Sequence, residues 1–139
     1  MIKNITFNKA TLNGNKFKSE KLIYKSVKKI QKNNNKKNFK DLLKISIVNS
    51  SPIFYLKTVK RKRRANLEFP FILPKNLRVS YSLKFILEYC NKTKNSSFYF
   101  KFNDELTKSS KKISPSFKHV ENLYKETFIK KKFSSYRWF

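Results

Sequence analysis

Apolar residues recur at helical spacing through most of this chain and alternate in one short stretch. In "SEKLIYKSVKKIQ", Ile23, Val27 and Ile30 fall on one stripe with Lys25, Lys28 and Lys29 mostly outside it, and Ser19 stands where an N-cap belongs. The spacing predicts a helix over residues 19–31, after a polar start. The tract "KNNNKK" breaks the pattern. "NFKDLLKISIVN" resumes it with Phe39, Leu42, Leu43, Ser46 and Ile47, closed by Asn49. Beyond Pro74, "SYSLKFILEYC" sets Leu83, Ile86, Leu87 and Cys90 at i, i+3, i+4 and i+7, with Ser80 or Ser82 near the start. After the loop "NKTKNSS", Phe98, Phe102 and Leu106 align on one face, with Ser96 or Ser97 as cap. A last helix opens at Ser114 and Pro115, with Phe117, Val120, Tyr124 and Phe128 as its stripe.

The alternating stretch lies between the second and third of these helices. "PIFYLKTV" and "LEFPFILP" are rich in β-branched and aromatic residues, with Leu67, Phe69, Phe71 and Leu73 set against Glu68, Pro70 and Ile72. Two strands joined at "KRKRRAN" make a hairpin over residues 53–73. Pro70 cannot donate a ladder hydrogen bond, so its strand must be an edge or bulged one, a condition that a two-stranded ribbon meets. The expected fold is mainly α, a small bundle of about five to six helices with a protruding two-stranded β-hairpin. Residues 1–139 suffice for one domain with one modest core.

Charge changes the picture from fold to partner. Lys and Arg number 34 against 8 Asp and Glu, a formal net charge of +26 spread over most of the chain. Such self-repulsion calls for a polyanion that neutralises it, and nucleic acid is the leading candidate. Disorder is argued against by 39% apolar and 16% aromatic residues gathered in periodic segments. No run approaches the ~20 apolar residues of a spanning helix, and no helix separates strongly into cationic and greasy faces, so a membrane is not the expected partner. Lone Cys90 is a small buried hydrophobe in a reducing compartment. Lys occurs 29 times and Asn 15 times, Ala twice and Gly once. That bias follows A/T-rich codons, a pattern that organelle genomes and a few bacteria show. "MIKNITFNKATLNG" has neither the Arg-rich, Ser-rich character of a transit peptide nor the apolar centre of a secretory signal.

Catalysis has little to work with. There is one histidine, His119, expected at the surface, one cysteine and eight scattered carboxylates, with no Gly-rich phosphate loop and no metal-ligand spacing. Asp104 and Glu105 are adjacent, diverge around a helix and are expected to relieve charge on a basic surface. No enzyme, metal or cofactor is expected. Binding has far more: Lys60, Arg61, Lys62, Arg63 and Arg64 are consecutive at the hairpin tip and hold three of the five arginines, whose planar fork suits phosphate and base stacking. Charge alone does not separate DNA from RNA, but the tip has no proline wedge of the kind DNA-bending ribbon arms carry, which weakens the DNA reading without excluding it.

Taken in order, the segments resemble the universal small-subunit ribosomal protein S-seven family, bacterial and organellar type. In "FSSYRWF", Phe133, Tyr136, Arg137 and Trp138 match the family's ending. In "FPFILPKNLRVSYSLKFIL", Pro70, Arg78 and Ile86 match, and Phe85 stands where the family has Trp. Asn8, Lys9, Gly14, Lys16 and Tyr24 match near the start, and Glu121 and Asn122 match in "VENLY". Two departures stand out: the family's basic N-terminal tail is missing or very short, and its Gly-Gly hairpin turn falls at Arg63 and Arg64 with about one residue inserted.

The resemblance implies a structural constituent of the small ribosomal subunit. It would bind the 3′ major domain of small-subunit rRNA, nucleate head assembly and place the hairpin near the exit-site tRNA and the mRNA path, among neighbouring small-subunit proteins. Carried onto matching positions, the expected RNA contacts are Lys16 and Lys21, Lys57, Lys60 to Arg64, Arg78, Lys84 and Arg137. Their role is phosphate contact and positioning. The implied location is the mitochondrial ribosome, with a plastid as the alternative. The alternative function is a free architectural or regulatory nucleic-acid-binding protein.

Overall fold

The computed structural model describes residues 2–11, 14–33, 38–60, 62, 65–92 and 97–138. In chain order the elements are α1 (Ile2–Ala10), α2 (Lys16–Asn33), α3 (Phe39–Asn49), β1 (Phe54–Val59), β2 (Leu67–Ile72), α4 (Lys75–Lys92), α5 (Phe98–Ser110), α6 (Pro115–Ile129) and a terminal 3₁₀ segment, Lys131–Trp138. The strands form an antiparallel hairpin with Phe54 opposite Ile72 and Val59 opposite Leu67. This is the mainly α architecture with one hairpin that the periodicity predicts.

The helices meet around Leu83, Ile86, Phe102 and Leu106, all nearly or wholly removed from solvent. Leu42, Leu43 and Ile47 of α3 and Ile30 of α2 complete this core. Each such side chain contributes about 1.5–3 kcal/mol of burial. Small polar residues set how closely the helices approach. Ser46 Oγ donates to Leu42 O at 2.7 Å and lies 2.9 Å from Leu106 O on α5, and Ser109 Oγ donates back to Ser46 O at 3.2 Å. A serine on the apolar stripe of α3 therefore marks a helix crossing, where a larger residue would force the backbones apart.

Several element starts differ from the sequence pattern, each for a local reason. The polar start folds as α1 because Phe7 is buried, with its ring 5.8 Å from that of Tyr24. Gly14, at φ +74°, makes the turn into α2, whose cap is Asn15: Oδ1 accepts from the Lys18 amide at 3.2 Å. Ser19 is instead buried in the first turn, donating to Lys16 O at 2.7 Å. Helix α4 starts directly after Pro74, whose carbonyl accepts from Leu77 and Arg78 amides. Ser82, considered as its cap, is buried mid-helix and donates to Ile47 O at 3.0 Å. Ser97 takes the cap position of α5 without a side-chain cap bond, and Ser96 lies outside the described residues. Ser114 caps α6 as expected, accepting from the Phe117 amide at 3.1 Å with Pro115 in the first turn.

The stripe of α6 is rotated from its expected position. Ser116, Val120, Leu123 and Thr127 are buried, whereas Phe128 is 75% exposed. The helix buries its small face because Ser116 sits on Ser114 and near Ser50, at 2.8 and 3.4 Å, where an aromatic has no room. A second cluster, Phe85, Val120 and Leu123 with Tyr55, Tyr81 and Tyr124 against it, joins α4 and α6 to the root of the hairpin.

Candidate nucleic-acid interface

The hairpin arises from two aromatic-rich strands and leans on the body at its root, where successive residues of β1 touch α4 and α6. Tyr55 packs on Tyr81 of α4 with ring centroids 4.7 Å apart and on Phe71 across the ladder at 6.0 Å. Phe54 meets Tyr124 of α6 edge-on at 6.2 Å. Beyond these contacts the arm carries cations. Lys57, Lys60 and Lys62 are exposed, and Lys57 stands opposite Phe69 in the register. Arg61, Arg63 and Arg64, and with them the type of turn, lie outside the described residues. The hairpin thus groups Lys57, Lys60 and Lys62 on one projecting element.

The other expected contacts are distributed around the body. Arg78 is half-buried in the first turn of α4, and its Nε donates to Leu73 O at 2.8 Å, so the guanidinium also fixes the exit of the hairpin into the helix. Lys84 is exposed on α4 and pairs with Glu88 one turn on at 3.7 Å. Lys16 and Lys21 are exposed on α2, separated by about 140° around its axis. Arg137 lies in the terminal 3₁₀ segment, and its side chain is outside the described residues.

One cationic row was legible in the spacing but not singled out. Lys21, Lys25, Lys28 and Lys32 follow i, i+4, i+7 and i+11 along α2, and all four are exposed. The buried residues Ser19, Ile23, Ser26 and Ile30 occupy the other side. A straight row of ammonium groups on one helix face suits a phosphate backbone better than scattered charges do. Two lysines off this row pack on rings of the protein instead: Lys29 lies 2.7 Å from the Phe100 ring centroid, and Lys92 lies 4.8 Å from that of Tyr89.

Few carboxylates offset this surface. Asp41–Lys44 and Asp104–Lys108 are exposed pairs at 3.8 and 3.6 Å between neighbours on one helix, and such pairs contribute little. Glu105 does not relieve surface charge. It is buried and accepts from the Ser116 amide at 3.3 Å, serving the N-terminus of α6, where a negative charge is favoured. His119 is half-buried rather than free at the surface, its ring edge-on to Phe85 at 4.6 Å. Burial pushes the Cys90 thiol up to about 12, which leaves it a protonated hydrophobe and a poor nucleophile. Among the described residues no group of three or more His, Cys, Asp or Glu is placed to hold a metal ion, and no helix is long and apolar enough to cross a membrane.

Comparison with known proteins places this geometry. The family described as ribosomal protein S7p/S5e matches residues 1–127. The chain is 29% identical over 132 residues to the small ribosomal subunit protein uS7c of Euglena gracilis, covering 94% of this chain and 83% of that one. It is 25% identical over 131 residues to the uS7 protein of Helicobacter hepaticus, and 24% identical over 131 residues to that of Campylobacter concisus. The coverage is again 94% of this chain and 83% of each relative.

Proposed function

The chain belongs to the ribosomal protein S7p/S5e family, and from that premise we propose that it binds the 3′ major domain of small-subunit rRNA and nucleates assembly of the subunit head. A structural place in the small ribosomal subunit is what the family provides. The observation that carries the finer reading is the collinear family match over residues 1–127, laid on a body whose exposed cations form a row on α2 and project on a hairpin. Lys21, Lys25, Lys28 and Lys32 seat the body on phosphates, joined by Lys16 and Lys84. Lys57, Lys60 and Lys62, together with Arg61, Arg63 and Arg64, extend toward the exit-site tRNA and the mRNA path. Arg78 has a double role, holding the hairpin root while presenting the rest of its fork. Arg137 adds a contact at the tail.

Phosphate contacts of this kind fix position and carry little sequence information, so recognition of the folded rRNA comes from its shape and from unpaired nucleotides. The exposed apolar residues that remain, Ile45 and Val48 on α3 among them, suit neighbouring small-subunit proteins. The A/T-driven composition supports an organelle-encoded member, and we assign it to the mitochondrial ribosome, a plastid being the alternative. Two measurements test the reading. Hydroxyl-radical footprinting of the purified protein on small-subunit rRNA should protect nucleotides confined to the 3′ major domain. The protein in cell extracts should sediment with small subunits in moderate salt. Protection scattered over unrelated RNA, or sedimentation with nucleoids, would instead indicate a free architectural protein.

A further inference from the structure

A two-stranded ribbon has little stability of its own, so the direction in which this arm points must be set by what it touches. Its root is held by Tyr124, whose hydroxyl accepts from the Ile53 amide at 3.0 Å and donates to Ser51 O at 3.4 Å. That contact fixes the base and leaves the outer rungs free to swing.

The outer rungs have a support of their own. The chain leaves α6 at Ile129, turns at Lys130 and runs as the 3₁₀ segment Lys131–Trp138 along β2. At the turn, the Lys130 ammonium pairs with Glu68, which stands opposite Thr58 in the second rung from the tip. The other ion pairs among the described residues join neighbours on one helix, with side chains 46–75% exposed. This one spans 62 positions in sequence, with side chains 30% and 37% exposed. In a chain of +26 with eight carboxylates, one of them is set on the arm against the chain's closing segment. A 3₁₀ run of eight residues is longer than that geometry sustains alone, which makes the strand beneath it part of what holds its form.

We propose that the Lys130–Glu68 pair and the segment Lys131–Trp138 brace the outer half of the hairpin, so that Lys130 and Glu68 are positioning residues for the cations at its tip. The brace is a property of the free protein. Only what the tip meets rests on the reading above.

Nitroxide labels at Val59→Cys, on the last rung, and Lys118→Cys, exposed on α6, report the angle of the arm by pulsed EPR, because buried Cys90 does not react. The otherwise unchanged protein should give one narrow distance distribution. Lys130→Glu and Glu68→Lys should each broaden it, the two together should narrow it again, and truncation after Ile129 should broaden it most. A distribution equally narrow in every variant overturns the proposal. On small-subunit rRNA, Lys130→Glu should lose the protections made by the tip and keep those made by the body, and the double exchange should restore them. Protections unchanged by a broadened arm overturn the positioning role. If no protein, parent included, protects any rRNA, the functional reading fails while the brace, judged by the label distances, stands.

Discussion

Cys90 shows how far one residue's surroundings decide its chemistry. It is 2% exposed among Leu87, Phe102 and Leu106, and removal from water disfavours the thiolate; the Glu105 charge adds to the rise and Lys101 opposes it. The thiol's ordinary value is 9.0 and its folded value about 12. Above the ordinary value the unfolded chain releases this proton while the folded chain keeps it, so the stability contributed by the protonated thiol is intact below pH 9 and lost as pH rises toward 12. Comparison with Cys90→Ala cancels the titration of the lysines common to both proteins. The stability advantage of the parent over that variant, from urea midpoints, should shrink by on the order of 1 to 2 kcal/mol between about pH 8 and about pH 10.5. An advantage independent of pH would mean that the thiol is not shielded in the fold. That Cys90 behaves as a hydrophobe was legible from its place on an apolar stripe. The burial of Glu105 was not, because its partner, the Ser116 amide, belongs to another helix and leaves no mark near residue 105.

At the level of elements, the apolar stripes located α2 to α6 but left several of their starts, and the whole of α1, unmarked. Helix α3 and the two strands of the hairpin followed from side-chain spacing. Helix α1 escaped because the apolar positions of its nine residues, Ile2, Ile5, Phe7 and Ala10, spread around the axis and show no stripe, and its helicity depends on Phe7 packing into the body. The starts of α2 and α4 were set by Asn15 and by the carbonyl of Pro74, while nearby serines that mimic caps were engaged elsewhere. The lysine row on α2 is the element-scale feature with the clearest functional consequence. Replacing Lys21, Lys25, Lys28 and Lys32 with Gln touches no buried residue, so the melting temperature should hold or rise slightly as like charges are removed. If all four meet phosphates, the magnitude of the slope of log affinity against log salt should fall by roughly 3, at ~0.7 to 0.9 for each phosphate no longer neutralised. Filter binding to small-subunit rRNA at several salt concentrations measures it. A slope equal to the parent's would show that this face looks away from the RNA.

For the whole molecule, folding and binding make opposite demands on the same charge. Thirty-four cations on a chain of 139 residues repel one another in the folded state, and the described ion pairs are too few and mostly too exposed to offset them. Added salt screens that repulsion, the Debye length falling from about 10 Å at 0.1 M to about 3 Å at 1 M, so the free protein should become more stable as salt rises. The same ions compete with the protein for phosphate, so its affinity for rRNA should fall steeply over that range. Melting temperature and rRNA affinity, measured in one potassium chloride series, should therefore move in opposite directions. A fold sustained mainly by ion pairs would lose stability in salt along with affinity, whereas the core around Leu83, Ile86, Phe102 and Leu106 is built of apolar side chains that salt does not screen. If the two quantities fell together, the excess of cations would be serving the fold itself, and the case for a polyanionic partner built on that excess would be lost.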